Sequence, residues 1–378
     1  MRVLFCFLVL PFSFFSQLLT NSTSINITKT WFQEPSGWTY PMIVSVPNTP
    51  VPANGYPVCI LLHGNGGQGQ GMIAQFQNYL DCHALVAPTG YMNSWNISEE
   101  NSDAPDLEMV ADLVNQLQTY SNVDPSKIRI IGFSNGSALA NRLFVENTQP
   151  GIDIICGFVS QLSEGNYHNG NFYLPSGQTS ASLPYCGYDV ITTPLTGRKY
   201  LNICNINDPL IPYIGGSSVG VTFLDAQDAA FIVAQSQGYY GNQLPNPGNF
   251  IGTPQNFLEE FSYLSGQVVH LKGDAGHGSN SSQLDYVSTF FSVDCSPANI
   301  HENSIVKIDL FPNPAFDRVE LKIEDYSSDI EVFIYDVNGK LVEYSRSFII
   351  NLENYSPGIY LFKIIADSFT KEIKLVKK

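Results

Sequence analysis

Three residues far apart in the chain have the types that nucleophilic acyl transfer requires. Ser134 lies at the centre of Gly132-Phe133-Ser134-Asn135-Gly136, between the β-branched run Ile128 to Ile131 and a helix-favouring run from Ser137 to Phe144. Strand, sharp turn and helix in that order push a serine hydroxyl out at the end of the strand. The two glycines have a mechanical reason, because the flanking backbones pass too closely for a Cβ. A serine hydroxyl is a weak nucleophile near neutral pH, so it needs a base, a group that orients the base, and N–H donors for an oxyanion. In this arrangement the acid and then the histidine follow the serine along the chain.

Three histidines follow the acid position. His270 ends a strand-like run and reads as a packed residue, and His301 lies in a polar linker. His277 sits in the turn Asp274-Ala275-Gly276-His277-Gly278, free to reach the serine, and is the expected base. Asp208, in Asn205-Ile206-Asn207-Asp208-Pro209, follows the run Lys199 to Cys204 and is the expected orienting acid; its other reading is a turn-capping aspartate before Pro209. Asp225 and Asp228 fall at helix positions and fit less well. The expected oxyanion donors are the backbone N–H of Asn135 and that of Asn65 or Gly66, in His63-Gly64-Asn65-Gly66-Gly67, with His63 holding that loop. Trp95 and Tyr91, in the long polar loop Pro88 to Pro105, could line a substrate cleft or pack locally. A second glycine–serine match, Gly216-Ser217-Ser218-Val219-Gly220, has no strand before it, so Ser218 reads as a loop serine.

Each of these residues must be positioned by an element, and the pattern of elements is legible. Pro57 to Leu62, Ala84 to Ala87, Ile128 to Ile131, Ile152 to Val159, Lys199 to Cys204 and Gln267 to Leu271 are short apolar runs, the sign of strands buried on both faces. Helical patterns separate them: Met72 to Leu80, Leu107 to Tyr120 with Asp103 or Asp106 as cap, Phe223 to Gln237, and Leu284 to Val293. The alternation predicts an α/β fold with a mostly parallel sheet and helices on both faces over residues 25–293. Every site residue named above falls just after a strand, at the carboxyl edge where such sheets collect functional groups. Residues 294–304 read as a linker. Residues 305–378 change texture, with period-two strands punctuated by Asn338-Gly339 and Pro357-Gly358, which predicts a small β-sandwich.

Composition narrows the function classes. The net charge of −16 is concentrated in the first 304 residues, which argues against nucleic acid and polyanionic ligands. Arg2 followed by a short apolar run gives residues 1–20 the layout of a signal peptide, and no later stretch is long and apolar enough to span a bilayer. Beyond Cys6, six cysteines remain, Cys59, Cys82, Cys156, Cys186, Cys204 and Cys295; outside the cytoplasm they can pair in fifteen ways, and those in apolar runs can be buried thiols. No cysteine or histidine spacing suits a metal site.

Taken in combination, LLHGNGG, the loop with NSWN, VDPSKIRIIGFSNGSALANRL, NDPLIPYIGG and AGHG resemble the α/β-hydrolase esterases of the polyhydroxybutyrate depolymerase and feruloyl/acetylxylan esterase group, over Pro57 to Val293. The resemblance implies Ser134 as nucleophile, Asp208 and His277 as its partners, an ester substrate and no cofactor. The chain departs from that group's pattern at Cys204-Asn205, where His-Gly is usual, and at Gly278-Ser279, where an aromatic residue and proline are common. The tail, with Phe311-Pro312-Asn313-Pro314-Ala315, IYDVNGK, SPGIYLFKI and KEIKLVKK, is similar to the C-terminal sorting domain of the type IX secretion route of Bacteroidetes. That implies passage through the periplasm, contact with the secretion machinery, and release or attachment at the cell surface. The expectation is a secreted serine esterase acting on an extracellular polymer, an acylated polysaccharide or aliphatic polyester. The alternatives are a serine peptidase on the same fold and a non-catalytic surface glycan-binding protein.

Overall fold

Along Tyr56–Leu62, Val58, Ile60 and Leu62 enter one hydrophobic cluster, while Cys59 and Leu61 enter another. A strand that buries both of its alternating faces must sit inside a sheet with cover above and below. The structure, a computed structural model, describes residues 17–98, 100–295, 308–323, 330–366 and 369–378. Most of the segment expected to be a signal peptide, and most of the expected linker with His301, lie outside the described residues. The chain divides into two units, Met1–Pro297 and Ala298–Lys378.

The first unit is built on a nine-stranded sheet. In chain order its strands are β1 (Met42–Ser45), β2 (Tyr56–Leu62), β3 (Ala84–Pro88), β4 (Val123–Phe133), β5 (Ile152–Phe158), β6 (Lys199–Asn205), β7 (Asn249–Phe250), β8 (Leu258–Tyr263) and β9 (Val268–Gly273). Their order across the sheet is β7-β8-β9-β6-β5-β4-β2-β3-β1. The stretch from β9 to β3 is parallel throughout; β8 with β7, and β1, add antiparallel edges. Helices α1 (Gly69–Phe76), α2 (Asp106–Leu117), α3 (Asn135–Glu146), α4 (Ala226–Ser236) and α5 (Ser281–Phe290) complete it. Leu113 of α2, Leu143 of α3 and Val233 of α4 share the cluster of Val58 and Ile60. Ile73 and Phe76 of α1 and Leu284 and Val287 of α5 share the cluster of Cys59 and Leu61. Each fully buried side chain of this size contributes about 1.5–3 kcal/mol, so the two clusters are what hold the sheet between its helices.

The architecture is the expected α/β one, and the differences are local. Between β5 and β6, where no period is legible, a separate antiparallel sheet forms from Tyr167–His168, Asn171–Pro175 and Tyr188–Thr192. Asp106 opens α2 but does not cap it, because its carboxylate is held elsewhere. The expected signal boundary at residue 20 cuts through a packed contact. Leu19 is buried, its N–H donates to Asn122 Oδ1 (2.8 Å), and its carbonyl accepts from Asn122 Nδ2 (2.9 Å). Cys82 and Cys295 form a disulfide; Cys59, Cys156 and Cys204 are buried thiols.

In the second unit, Ile308–Phe311, Arg318–Ile323 and Ile349–Asn351 make one antiparallel sheet, and Glu331–Asp336, Leu341–Ser345, Gly358–Ala366 and Phe369–Lys377 another. Val319 and Leu321 from the first share a cluster with Val332, Ile334, Phe362 and Leu375 from the second. Two sheets with one shared core make a small β-sandwich.

Candidate active site

The turn between β4 and α3 places Ser134 at φ 53, ψ −116. Such backbone costs a non-glycine residue about 1–3 kcal/mol and is kept only where surroundings enforce it. Ser134 N–H donates to Phe158 O (2.9 Å), which pins the turn to β5. A methyl group on Gly132 would collide with Gly136 O, and one on Gly136 would collide with Leu62 O. Both glycines are therefore required by close backbone approach.

The half-buried hydroxyl meets His277. Ser134 Oγ lies 2.8 Å from His277 Nε2, and His277 Nδ1 lies 2.8 Å and 3.0 Å from the two carboxylate oxygens of Asp208. Asp208 Oδ1 also accepts from the N–H of Leu210 (2.8 Å) and Ile211 (3.0 Å). A carboxylate accepts only, so the Nδ1 proton points at Asp208 and Nε2 is left to accept from the serine. The Asp208 side chain is 1% exposed and that of His277 18%, so the acid is sheltered and the base faces the opening. This arrangement can take the proton from Ser134 as Oγ attacks a carbonyl and stabilise the imidazolium that results.

Ser134 and His277 line a cavity of about 580 Å³, together with Asn65, Met92, Ser94, Ile97, Glu100, Phe133, Asn135, Leu210, Ile211, Val219, Val221 and Phe223 among others. Among the described lining residues Glu100 is the one carboxylate, and none is lysine or arginine. Asn135 and Asn65 line the same cavity as Ser134. Gly66 does not serve as expected: its N–H donates to Asn93 O (2.8 Å), and a donor already engaged cannot meet an oxyanion. Of the two residues expected from this loop, Asn65 is the one whose place in the cavity lining keeps it a candidate donor.

Of the two readings open for Trp95 and Tyr91, cleft lining and local packing, the structure shows local packing. Trp95 is fully buried; its Nε1–H donates to His63 O (2.7 Å) and its ring lies against the His63 imidazole. An indole has one N–H, and here a buried carbonyl satisfies it, which turns the ring inward. Tyr91 packs edge-on against Trp31 and Trp38. The loop lines the cavity instead through Met92, Ser94, Ile97 and Glu100. His63 donates from Nδ1 to Gly64 O (2.7 Å) and accepts from Gly90 N–H (3.0 Å) at Nε2; burial pushes its pKa down, which suits a neutral, structural ring. His270 is buried between Asn202 Oδ1 (3.0 Å) and Tyr213 OH (2.8 Å), and burial pushes its pKa down to about 3. Ser218 Oγ donates to Leu210 O (2.6 Å), and Asp225 caps α4.

Sequence reasoning missed what holds the cavity loop. The Asn135 side chain accepts from Trp95 N–H (2.7 Å) and donates to Glu100 Oε1 (2.9 Å). Asp106, buried, accepts from Tyr40 OH and Asn96 N–H, both at 2.8 Å. Burial pushes the Asp106 pKa up from 3.8 to about 7, against the opposing pull of Asn96 N–H, Tyr40 and Arg142. A carboxyl that binds its proton more tightly when folded contributes stability that is complete below the unfolded value and is lost as pH rises through the folded one. The melting temperature of the wild type, relative to Asp106→Asn, is thus expected to fall between about pH 4 and pH 7 and to level off above it. Thermal denaturation of both proteins across that range checks this, and a wild-type melting temperature that rises relative to the variant with pH would contradict it.

In sequence, residues 309–378 match the family described as "Secretion system C-terminal sorting domain". A stretch of 112 residues is 30% identical to "Putative esterase NocK" of Nocardia uniformis subsp. tsuyamanensis, covering 27% of this chain and 32% of that protein. The chain therefore spans about a third of the length of that curated relative. Among solved structures it is similar to a carboxylesterase from Bacillus cereus (12% identity, 67% of this chain and 93% of that chain, TM-score 0.42). It is also similar to an acetyl xylan esterase from Aspergillus awamori (15% identity, 71% of this chain and 100% of that chain, TM-score 0.44). The sorting domain marks the chain as exported. Among the described residues no helix is long and apolar enough to cross a membrane.

Proposed function

We propose that this protein is an exported serine esterase that hydrolyses carboxylic esters through an acyl-enzyme on Ser134. The observation that carries the reading is the unbroken hydrogen-bonded path from Asp208 through His277 to the Ser134 hydroxyl, ending at an open cavity wall. In the first step Ser134 Oγ attacks the ester carbonyl and its proton passes to His277 Nε2. The N–H groups of Asn135 and Asn65 receive the developing oxyanion. Collapse expels the alcohol, which takes the proton from His277. Water, deprotonated by the same ring, then attacks the acyl-enzyme and releases the acid, restoring the serine.

The sorting tail supports an extracellular substrate, and the shared stretch with a protein named as an esterase supports the reaction class. The absence of lysine and arginine from the described cavity lining, beside the carboxylate of Glu100, favours uncharged esters. An acylated polysaccharide or an aliphatic polyester meets both conditions.

The test is to incubate the purified chain with p-nitrophenyl acetate and butyrate, with a peptide anilide, and with feruloylated xylan, acetylated xylan and polyhydroxybutyrate. Turnover of the p-nitrophenyl esters and of one polymer, with the anilide untouched, is the expected result. A folded protein that leaves every ester intact would sink the reading and leave glycan binding as the function to pursue.

A further inference from the structure

His277 stands between two glycines, and Gly276 has φ +63, so the backbone carrying the imidazole is free to swing unless something holds it. Asn205, the last residue of β6, holds it from both sides. Its Nδ2 donates to Gly276 O (2.8 Å) and to Gly278 O (3.1 Å). Its Oδ1 accepts from Gln283 Nε2 (2.7 Å). Gln283 Oε1 in turn accepts from Asn280 N–H (3.1 Å), in the capping box that starts α5.

The polarity of this chain of bonds is fixed at its far end. A backbone N–H can only donate, so Gln283 must turn its oxygen toward Asn280 and its NH2 toward Asn205. Asn205 must then turn its NH2 toward the two carbonyls. Asn205 is 1% exposed and Gln283 is not exposed, so water cannot replace a lost partner. The two amides meet over Gly273, where a methyl group would collide with Gln283 Nε2. Asn207 adds an outer strap, accepting from Gly276 N–H (2.9 Å) and donating to Asp274 O (2.7 Å), but it is exposed to solvent.

We propose that Asn205, oriented by Gln283, is a positioning residue that keeps His277 Nε2 on Ser134; the proposal rests on the Ser134–His277–Asp208 reading above. It acts through the loop backbone and touches no reacting atom. The helix cap at Asn280 is thereby linked to the direction of the imidazole.

Asn205→Asp is the informative variant, because it keeps the size and the bond from Gln283 while turning an acceptor toward two carbonyls. The expected result is a loss of about 10- to 100-fold in kcat on p-nitrophenyl butyrate with KM within about twofold, the scale of a small misplacement of a reacting group. In a His277→Ala background the same substitution is expected to cost nothing further, since its effect runs through that ring. The proton NMR resonance expected for the hydrogen-bonded His277 Nδ1–H of the wild type should broaden or vanish in Asn205→Asp. Should the carboxylate prevent folding, Asn205→Ser gives the same comparisons. An unchanged kcat, an equal loss without His277, or an unchanged resonance would each overturn the proposal. A folded wild type without ester turnover would sink the esterase reading alone, and the resonance would still decide the role of Asn205.

Discussion

Ser134→Ala is expected to lower kcat for ester hydrolysis by about five to six orders of magnitude and to leave the fold intact. The substitution removes the one atom that forms the acyl bond and nothing that supports the sheet. Alanine keeps the Cβ that the turn at φ 53 already tolerates. The loss to the fold is one hydrogen bond, to His277 at the cavity wall, worth about 0.5–1.5 kcal/mol, so the melting temperature should move by only a few degrees. What remains is catalysis by oxyanion donors and binding alone, about 10³–10⁴ over water. A stopped-flow record separates this from a general loss of binding. The wild type should release p-nitrophenol in a burst matching the enzyme concentration, and the variant should show none. Activity within tenfold of the wild type would move the nucleophile elsewhere and remove Ser134 from the mechanism.

How much of this could be read from the sequence depended on how local the governing contacts are. The Ser134 turn was legible because strand, two glycines and helix stand within some twenty consecutive residues, and its constraints come from backbones the motif itself brings together. The parallel sheet was legible because strands buried on both faces are continuous apolar runs, as at Tyr56–Leu62. The tail was legible because hairpin strands show period two. Gly66 failed as a donor because its N–H partner, Asn93, lies in another loop, and nothing near Gly66 announces it. Trp95 and Tyr91 are loop aromatics in the sequence, but the direction of each ring is set by distant groups, the carbonyl of His63 and the indoles of Trp31 and Trp38. The sheet between β5 and β6 begins with the two-residue strand Tyr167–His168, too short to carry a period. The amide chain from Gln283 to Asn205 joins residues 78 apart, and glutamine and asparagine have no pattern that would reveal it.

Asp208→Asn is expected to cost about 10⁴-fold in kcat while moving no heavy atom far. The reason lies in the four contacts of the carboxylate. Oδ1 accepts from two backbone N–H groups, those of Leu210 and Ile211, which can only donate. An asparagine must therefore keep its oxygen on that side and turn its NH2 to the Oδ2 position, 2.8 Å from His277 Nδ1. A donor there opposes the Nδ1 proton, so the ring shifts that proton to Nε2. Nε2 then faces Ser134 Oγ as a donor and cannot act as base, though the 2.8 Å spacing is kept. Asp208→Ala should differ, because it leaves the N–H groups of Leu210 and Ile211 without an acceptor and adds a stability loss of about 1–3 kcal/mol. Measuring kcat, KM and melting temperature for both variants separates the two effects. The ¹⁵N shifts of the His277 ring in Asp208→Asn report the tautomer directly. A ring still protonated at Nδ1, with kcat within tenfold of the wild type, would mean that another group orients His277, because a correctly placed carboxylate cannot be exchanged for its amide without reversing the polarity of the imidazole it holds.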